Sequence, residues 1–269
     1  MIPLLKSLLP ETWRHWIRSK RRWKWFRGNF ASWSEARKAS KGYDNAAVLD
    51  RVLFATREVL EGRAAWERDG TTFTEPRFNE PLLDTLKHIK MISGHQLCLL
   101  DFGGGLGGTW RQHRAGLGGD ANVRWMVVEQ PHYVAAGKEF SDEVLAFHAS
   151  LDEAQRCGIS RVILFSSVLQ YLERPYQLLA GLDSRGFEHV IVDRTPFALD
   201  DCERLVVQHT PPELGGGSYP SWLFKRERLL TALGPNFILQ KEWPGFDDVD
   251  AAVEFRGFYF VRKNSRSLG

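Results

Sequence analysis

Apolar positions from residue 97 to residue 193 fall into short runs rich in Val, Ile, Leu and Phe: LCLLDF (97–102), VRWMVVE (123–129), VLAFH (144–148), RVILFSS (161–167) and HVIVD (189–193). Each is too short for a buried helix, and helical periodicity fills the gaps between them. Five strands alternating with helices predict a parallel sheet covered on both faces. FILQKEW and VEFRGFYFVRK, further along, read as two more strands joined tightly into a closing antiparallel hairpin. Upstream, SWSEARKAS carries capping serines, Ala46 to Leu60 is periodic and stops at Gly62, and Pro81 opens a helix through LLDTLKHIKMI. The polar ERDGTTFTEPRFNE and the Gly/Pro-rich PPELGGGSYPSW read as loops, with Gly215, Gly216 and Gly217 giving the second freedom to move as a lid or a plain surface loop; KRERLLTAL after it is a helix.

The N-terminus has a different texture. Leu5, Leu9, Trp13, Trp16 and Trp23 follow helical spacing, with Arg14, Arg18, Arg21 and Arg22 largely off that stripe. Residues 1–41 hold eleven Lys or Arg against Glu11 and Glu35, whereas the remainder holds 25 basic against 31 acidic residues. The net +3 therefore combines a basic head with an acidic body. Residues 1–80 are expected to form a basic helical extension and cap, and 81–269 the sheet domain. An amphipathic basic helix with interfacial Trp suits an anionic membrane surface through residues 1–27. Packing of its Trp stripe on the protein's own core, phosphate contact or a partner protein are the alternatives.

With 43% hydrophobic and 26% charged residues the chain is of globular composition. No apolar run approaches the roughly 20 residues of a membrane span, and Lys6 and Pro10 interrupt the opening apolar stretch. Cys98, Cys157 and Cys202 are far apart and form no CxxC pair, so a reducing, cytoplasmic setting is expected, extending to the inner membrane face if the head binds lipid.

The chemistry concentrates after the first sheet strand. Asp101-Phe102-Gly103-Gly104-Gly105-Leu106-Gly107-Gly108-Thr109 turns from that strand into a helix, and its glycines let backbone approach a ligand closely. The second strand ends in Glu129, 24 residues beyond Gly105, where a carboxylate can accept both hydroxyls of a ribose. Gly103, Gly105 and Gly108 also satisfy GxGxxG, which makes a nicotinamide dinucleotide the competing ligand. Asp101 opposes it, because a carboxylate there crowds a pyrophosphate but favours an ammonium or sulfonium. A YxxxK pair is also missing, since Tyr133 and Lys138 have the wrong spacing.

These features resemble class I S-adenosylmethionine-dependent methyltransferases, whose Rossmann-like α/β sheet has seven mostly parallel strands with an antiparallel last strand. The resemblance extends to a smaller bacterial methyltransferase family associated with surface polysaccharide loci. It is carried by the segment from Trp33 to Gly42-Tyr43-Asp44, ERD (67–69), LDFGGGLGGT, VVEQPHYV, SSVLQYL, DRTPF and SYPSWLF. The basic head lies outside it. The resemblance implies that Asp101, Gly103, Gly104 and Gly105 hold the methionine end of S-adenosylmethionine, Glu129 the ribose, and Gln130 the adenine side. Ser150 and Leu151 would border adenine, with Asp152 as the alternative acidic contact. Ser166 and Ser167 would line the cofactor beneath its methyl group, and Tyr43 would close the methionine pocket.

Methylation of a hydroxyl benefits from a base. Asp193 is the first candidate, His132 the second and His209 the third. Arg194, Tyr219 and Trp222 are candidates for binding an anionic or sugar acceptor. No HxH, HExxH or spaced carboxylate pair suggests a metal. Nucleic acid is an unfavoured substrate, because the fourth strand ends in SSVLQY and not in the Asn- or Asp-Pro-Pro-aromatic motif of amino-group methyltransferases. The expected function is therefore O-methylation of a sugar or other small polar acceptor, including a lipid-linked one. The rivals are an NAD-dependent nucleotide-sugar oxidoreductase or epimerase, and a non-catalytic S-adenosylmethionine-binding protein.

Overall fold

A computed structural model describes residues 25–42, 46–158, 160–211, 216–245, 247 and 252–263. The head helix expected over Leu5–Trp23 and the expected contact from Tyr43 lie outside the described residues. In chain order the elements are a short strand β1 (Phe26–Arg27), helices α1 (Trp33–Lys38) and α2 (Ala46–Leu60), a hairpin of β2 (Trp66–Arg68) and β3 (Thr71–Phe73), and helix α3 (Glu80–Ile92). There follow β4 (Leu97–Phe102), α4 (Gly108–His113), β5 (Val123–Val128), α5 (Pro131–Gly137), β6 (Leu145–His148), α6 (Leu151–Cys157), β7 (Val162–Ser166), α7 (Pro175–Ala180) and β8 (His189–Ala198). The chain closes with β9 (Arg204–His209), β10 (Ser218–Leu223), α8 (Arg226–Leu233), β11 (Phe237–Pro244) and β12 (Val253–Arg262).

Seven strands form the central sheet in the order β11-β12-β8-β7-β4-β5-β6. The β4–β5, β4–β7, β5–β6 and β7–β8 pairings are parallel, and β12 runs antiparallel to both its neighbours. The expected Rossmann-like α/β sheet with its last strand antiparallel is therefore present. The order reverses between β4 and β7, and the crevice of such a sheet opens at the carboxyl ends of its strands at that point. Period-two alternation builds the two core layers: on β5, Val123, Trp125 and Val127 face one cluster and Met126 and Val128 the other. Each such fully buried side chain contributes roughly 1.5–3 kcal/mol relative to exposure.

Three segments depart from the sequence expectation. Residues 66–73, expected as loop, form a hairpin whose two-residue turn is Asp69-Gly70, both at positive φ (52° and 76°). That geometry matches the right-handed strand twist and is the one Asp-Gly favours. Residues 218–223, also expected as loop, form β10, which pairs with β9, and β9 in turn pairs with β1. Pro220 is tolerated because β10 lies at the edge of this three-stranded sheet, where a missing N–H leaves no ladder bond unmade. Finally, Phe26 and Arg27 sit opposite Gln208 and Val207, so the N-terminal extension adds a strand to this small sheet and is not wholly helical. Among the described residues no helix is long and apolar enough to cross a membrane.

Candidate functional site

A cavity of about 640 Å³ opens at the carboxyl ends of β4, β7 and β8, within the size range of small-molecule sites. Its floor is the turn from β4 into α4. Gly103 and Gly105 are at positive φ (73° and 58°), and an added Cβ on Gly103 would collide with Val168. At Gly104 an added Cβ would lie 2.6 Å from the Asp101 carboxyl carbon, so the loop rests directly on that side chain. Asp101 has no exposure and does not line the cavity; it accepts a hydrogen bond from Trp125 Nε1 through Oδ2 (3.0 Å), and its Oδ1 has no hydrogen-bond partner among the described residues. Burial, countered by the Trp125 hydrogen bond, pushes its carboxyl up to about 7. A buried, half-satisfied acid beneath a glycine loop favours a cationic ligand above it.

Glu129, just past β5, lines the same cavity. Its Oε1 accepts from the Gly105 N–H (3.3 Å) and its Oε2 from the Gln130 N–H (2.7 Å). A carboxylate has about four lone-pair sites, so two remain for a vicinal diol. Burial raises the Glu129 carboxyl, and the Gln130 and Gly105 N–H groups oppose that shift. Glu129→Ala is expected to weaken adenosyl-ligand binding by about 1 to 3 kcal/mol, the scale of a charge-assisted hydrogen bond; calorimetry showing unchanged affinity would remove the ribose role.

The acceptor side is built around Asn79. Its Oδ1 caps α3 by accepting from Leu82 N (3.4 Å), and its Nδ2 donates to Asp193 Oδ2 (2.9 Å). Its backbone N–H donates to His113 Nε2 (3.1 Å), whose Nδ1 in turn lies 2.8 Å from the Thr109 carbonyl. That pattern assigns His113 as the Nδ1–H tautomer, and burial lowers its pKa, so it is a neutral strut. Asp193 also accepts from Ser166 Oγ (3.2 Å) and, through Oδ1, from Trp243 Nε1 (3.0 Å). Three donors converge on this fully buried carboxylate, which makes it an anchor for the cavity wall; the role of base first considered for it does not suit that arrangement.

Ser166, Ser167 and Arg194 line the cavity as expected. Asp69, Ser167 and Arg194 adopt positive φ (52°, 55° and 49°), and all three lie in this wall. Arg194 Nε meets Asp247 Oδ2 (3.1 Å) and its Nη2 meets Asp69 Oδ2 (3.3 Å), while Arg68 reaches Asp247 Oδ1 (3.1 Å). The β2–β3 hairpin is thereby tied to the rim. Despite burial, Arg194 and Arg68 hold the Asp247 carboxyl below its ordinary range.

Other expected site residues are placed elsewhere. Gln130 is exposed at the start of α5. Ser150 is the exposed cap of α6, Leu151 is packed in the core, and Asp152 is paired with Arg185 (2.5 Å). His132 lies tilted against Tyr133 with ring centroids 5.0 Å apart and is not in the cavity wall, and His209 sits opposite Ser218 in the β9–β10 ladder. Tyr219 is buried edge-on to Tyr171, and Trp222 stacks on Trp33 while donating to the Leu172 carbonyl (3.1 Å). The small sheet takes up both aromatics, so neither reaches the cavity. The wall residues that sequence reasoning missed are Glu67, Asp69, Asn79, His113 and Tyr133. Among the described residues no group of three His, Cys, Asp or Glu is placed to hold a metal.

No protein-family model matches the chain, and no curated protein matches it. Solved structures similar to it include the N-terminal domain of EvdMO1, crystallised in the presence of SAH and D-fucose, at 14% identity over 81% of this chain and 100% of that chain (TM-score 0.48). Another is magnesium protoporphyrin IX methyltransferase (ChlM) from Synechocystis PCC 6803 with bound SAH, at 16% identity over 82% and 96% (TM-score 0.49). A third is 1,6-didemethyltoxoflavin-N1-methyltransferase of Burkholderia thailandensis, at 18% identity over 88% and 92% (TM-score 0.46).

Proposed function

We propose that this protein binds S-adenosylmethionine and transfers its methyl group to a hydroxyl of a sugar or other small polar acceptor. The observation that carries the proposal is the glycine loop resting on the buried, half-satisfied Asp101 carboxyl, with Glu129 at the tip of the next strand in the same cavity. These residues fit the cofactor: the loop offers backbone at close range, Glu129 offers free lone pairs for ribose hydroxyls, and the buried acid suits positive charge. When bound, S-adenosylmethionine supplies a methyl group carried on a cationic sulfur.

The chain's own residues would do the rest. Ser166 and Ser167 border the space between loop and acceptor, and Asp193 with Asn79 keeps that wall rigid. Val52, Trp66, Phe78 and Leu82 form apolar wall that excludes water, and Arg194 at the rim orients a polar acceptor. Incubation with methyl-labelled S-adenosylmethionine and a panel of free, nucleotide-linked and lipid-linked sugars is expected to label at least one acceptor. Tight cofactor binding with no label in any polar acceptor would instead leave a non-catalytic binding protein.

The sugar acceptor rests on the family resemblance of the motifs, and the lipid-linked form on the head. Residues 1–24 contain seven Lys or Arg, one Glu and three Trp, a composition suited to an anionic inner membrane face. Because β1 begins at Phe26 and Trp25 O accepts from His209 N (2.6 Å), the clean deletion ends at Lys24 and not at Arg27. Removing residues 1–24 is expected to abolish sedimentation with anionic liposomes and leave cofactor affinity unchanged. Equal sedimentation of both forms excludes the membrane role.

A further inference from the structure

Five acidic side chains lie in the cavity wall: Glu67, Asp69, Glu75, Glu129 and Asp193. Asp193 is held by three donors, and Glu129 sits at the ribose position with two backbone N–H partners. Asp69 is exposed and paired with Arg194, and Glu75 is exposed at the outer edge. Glu67 differs from all of them. It is only 8% exposed, its Oε2 accepts from the Gly70 N–H (3.2 Å), and its Oε1 carries no hydrogen bond among the described residues. That free oxygen presses on the Gly108 backbone where α4 begins, so closely that an added Cβ there would overlap it.

We propose that Glu67 receives the ammonium group of the amino-acid arm of the bound nucleoside, reaching it from the β2–β3 hairpin across the glycine loop. The assignment rests on the S-adenosylmethionine proposal above and adds a wall residue to it. Asp101 cannot make this contact, since it lies wholly beneath the loop. A buried carboxylate with no direct ion pair is costly, and a ligand ammonium relieves that cost through a charge-assisted hydrogen bond. Beside that geometry, burial and then the neighbouring Asp69 push the Glu67 carboxyl up to about 7, while the Gly70 N–H, Arg111 of α4 and Arg194 of β8 pull it down. Tyr133 of α5 faces the same group, and its hydroxyl is held neutral by burial and by the acids around it. An arriving ammonium favours the carboxylate, so binding strengthens as pH rises to about 7 and releases a proton below it.

The test compares the intact protein with Glu67→Gln, using S-adenosylhomocysteine and methylthioadenosine, which lacks the amino-acid arm. The variant keeps an acceptor for the Gly70 N–H. Calorimetry is expected to show S-adenosylhomocysteine binding weakened roughly ten- to hundredfold by the substitution, with methylthioadenosine binding unchanged; the second ligand also reports that the variant is folded. In buffers of different ionisation enthalpy near pH 6.5, the proton released on S-adenosylhomocysteine binding is expected to fall in the variant. The difference between the two proteins isolates Glu67 from Asp101, which titrates in the same range. Equal S-adenosylhomocysteine affinity in both proteins, or a parallel loss for both ligands, overturns the assignment. If the unmodified protein binds neither ligand, the S-adenosylmethionine proposal itself fails and this one with it.

Discussion

Replacing Gly104 with alanine is expected to weaken adenosyl-ligand binding by about a hundredfold or more. The added methyl group would stand 2.6 Å from both the carboxyl carbon and Oδ2 of Asp101. Asp101 cannot withdraw, because it is completely buried and fixed by Trp125 Nε1. The loop must therefore lift, and a displacement near 1 Å at a binding surface costs on the order of a hundredfold. Alanine at Gly181, where φ is −84° and an added Cβ meets nothing closer than 3.5 Å, controls for a general loss of backbone freedom. Calorimetry with S-adenosylhomocysteine measures both, and an unaffected Gly104→Ala protein would separate the loop from the ligand site.

The second large effect is on stability. Asp193→Ala leaves Trp243 Nε1–H and Asn79 Nδ2–H buried without an acceptor, and Ser166 without its partner. Each buried donor left unsatisfied costs about 1 to 3 kcal/mol, so a total loss of about 3 to 5 kcal/mol is expected in denaturant unfolding. Asp193→Asn keeps one acceptor oxygen and should lose about half as much. A fully stable Asp193→Ala protein that binds cofactor but transfers no methyl group would restore Asp193 as a base. The structure favours the anchor because three donors already occupy most of the roughly four lone-pair sites of this carboxylate.

All seven strands of the central sheet were legible in the sequence. A run such as VRWMVV is apolar on both faces, and a strand covered on both sides by helices needs that pattern. The closing hairpin was legible for another reason, the aromatic and β-branched residues of FILQKEW and VEFRGFYFVRK. The small sheet was not, since Pro220 and the glycines before it outweighed the strand pattern of LVVQ and SYPSWL. The Asp69-Gly70 turn was a readable hairpin signal between Trp66 and Phe73, whose rings stack 4.1 Å apart, but the polar residues around it masked the pairing.

In the cavity wall, sequence located what the glycine loop and strand ends dictate: Gly103, Gly104, Gly105, Glu129, Ser166, Ser167, Asp193 and Arg194, with Asp101 beneath the loop. It did not locate residues whose role comes from tertiary approach. Asn79 reads as a helix cap, which it is, and nothing local shows that its amide also reaches Asp193, 114 positions away. Glu67 stands in the ERD segment that carries part of the resemblance, but nothing local gives it a site role, which comes from its burial beside Gly108. Conversely, Tyr219 and Trp222 have the composition of a sugar platform, but strand alternation and the neighbouring Trp33 and Tyr171 fix them in the small sheet.

The central claim is the identity of the ligand above the glycine loop. Calorimetry of the intact protein with S-adenosylmethionine, S-adenosylhomocysteine and NADH tests it most directly. Binding of the two adenosyl ligands without NADH is the predicted result. Binding of NADH alone would contradict the account and turn the site over to an oxidoreductase or epimerase.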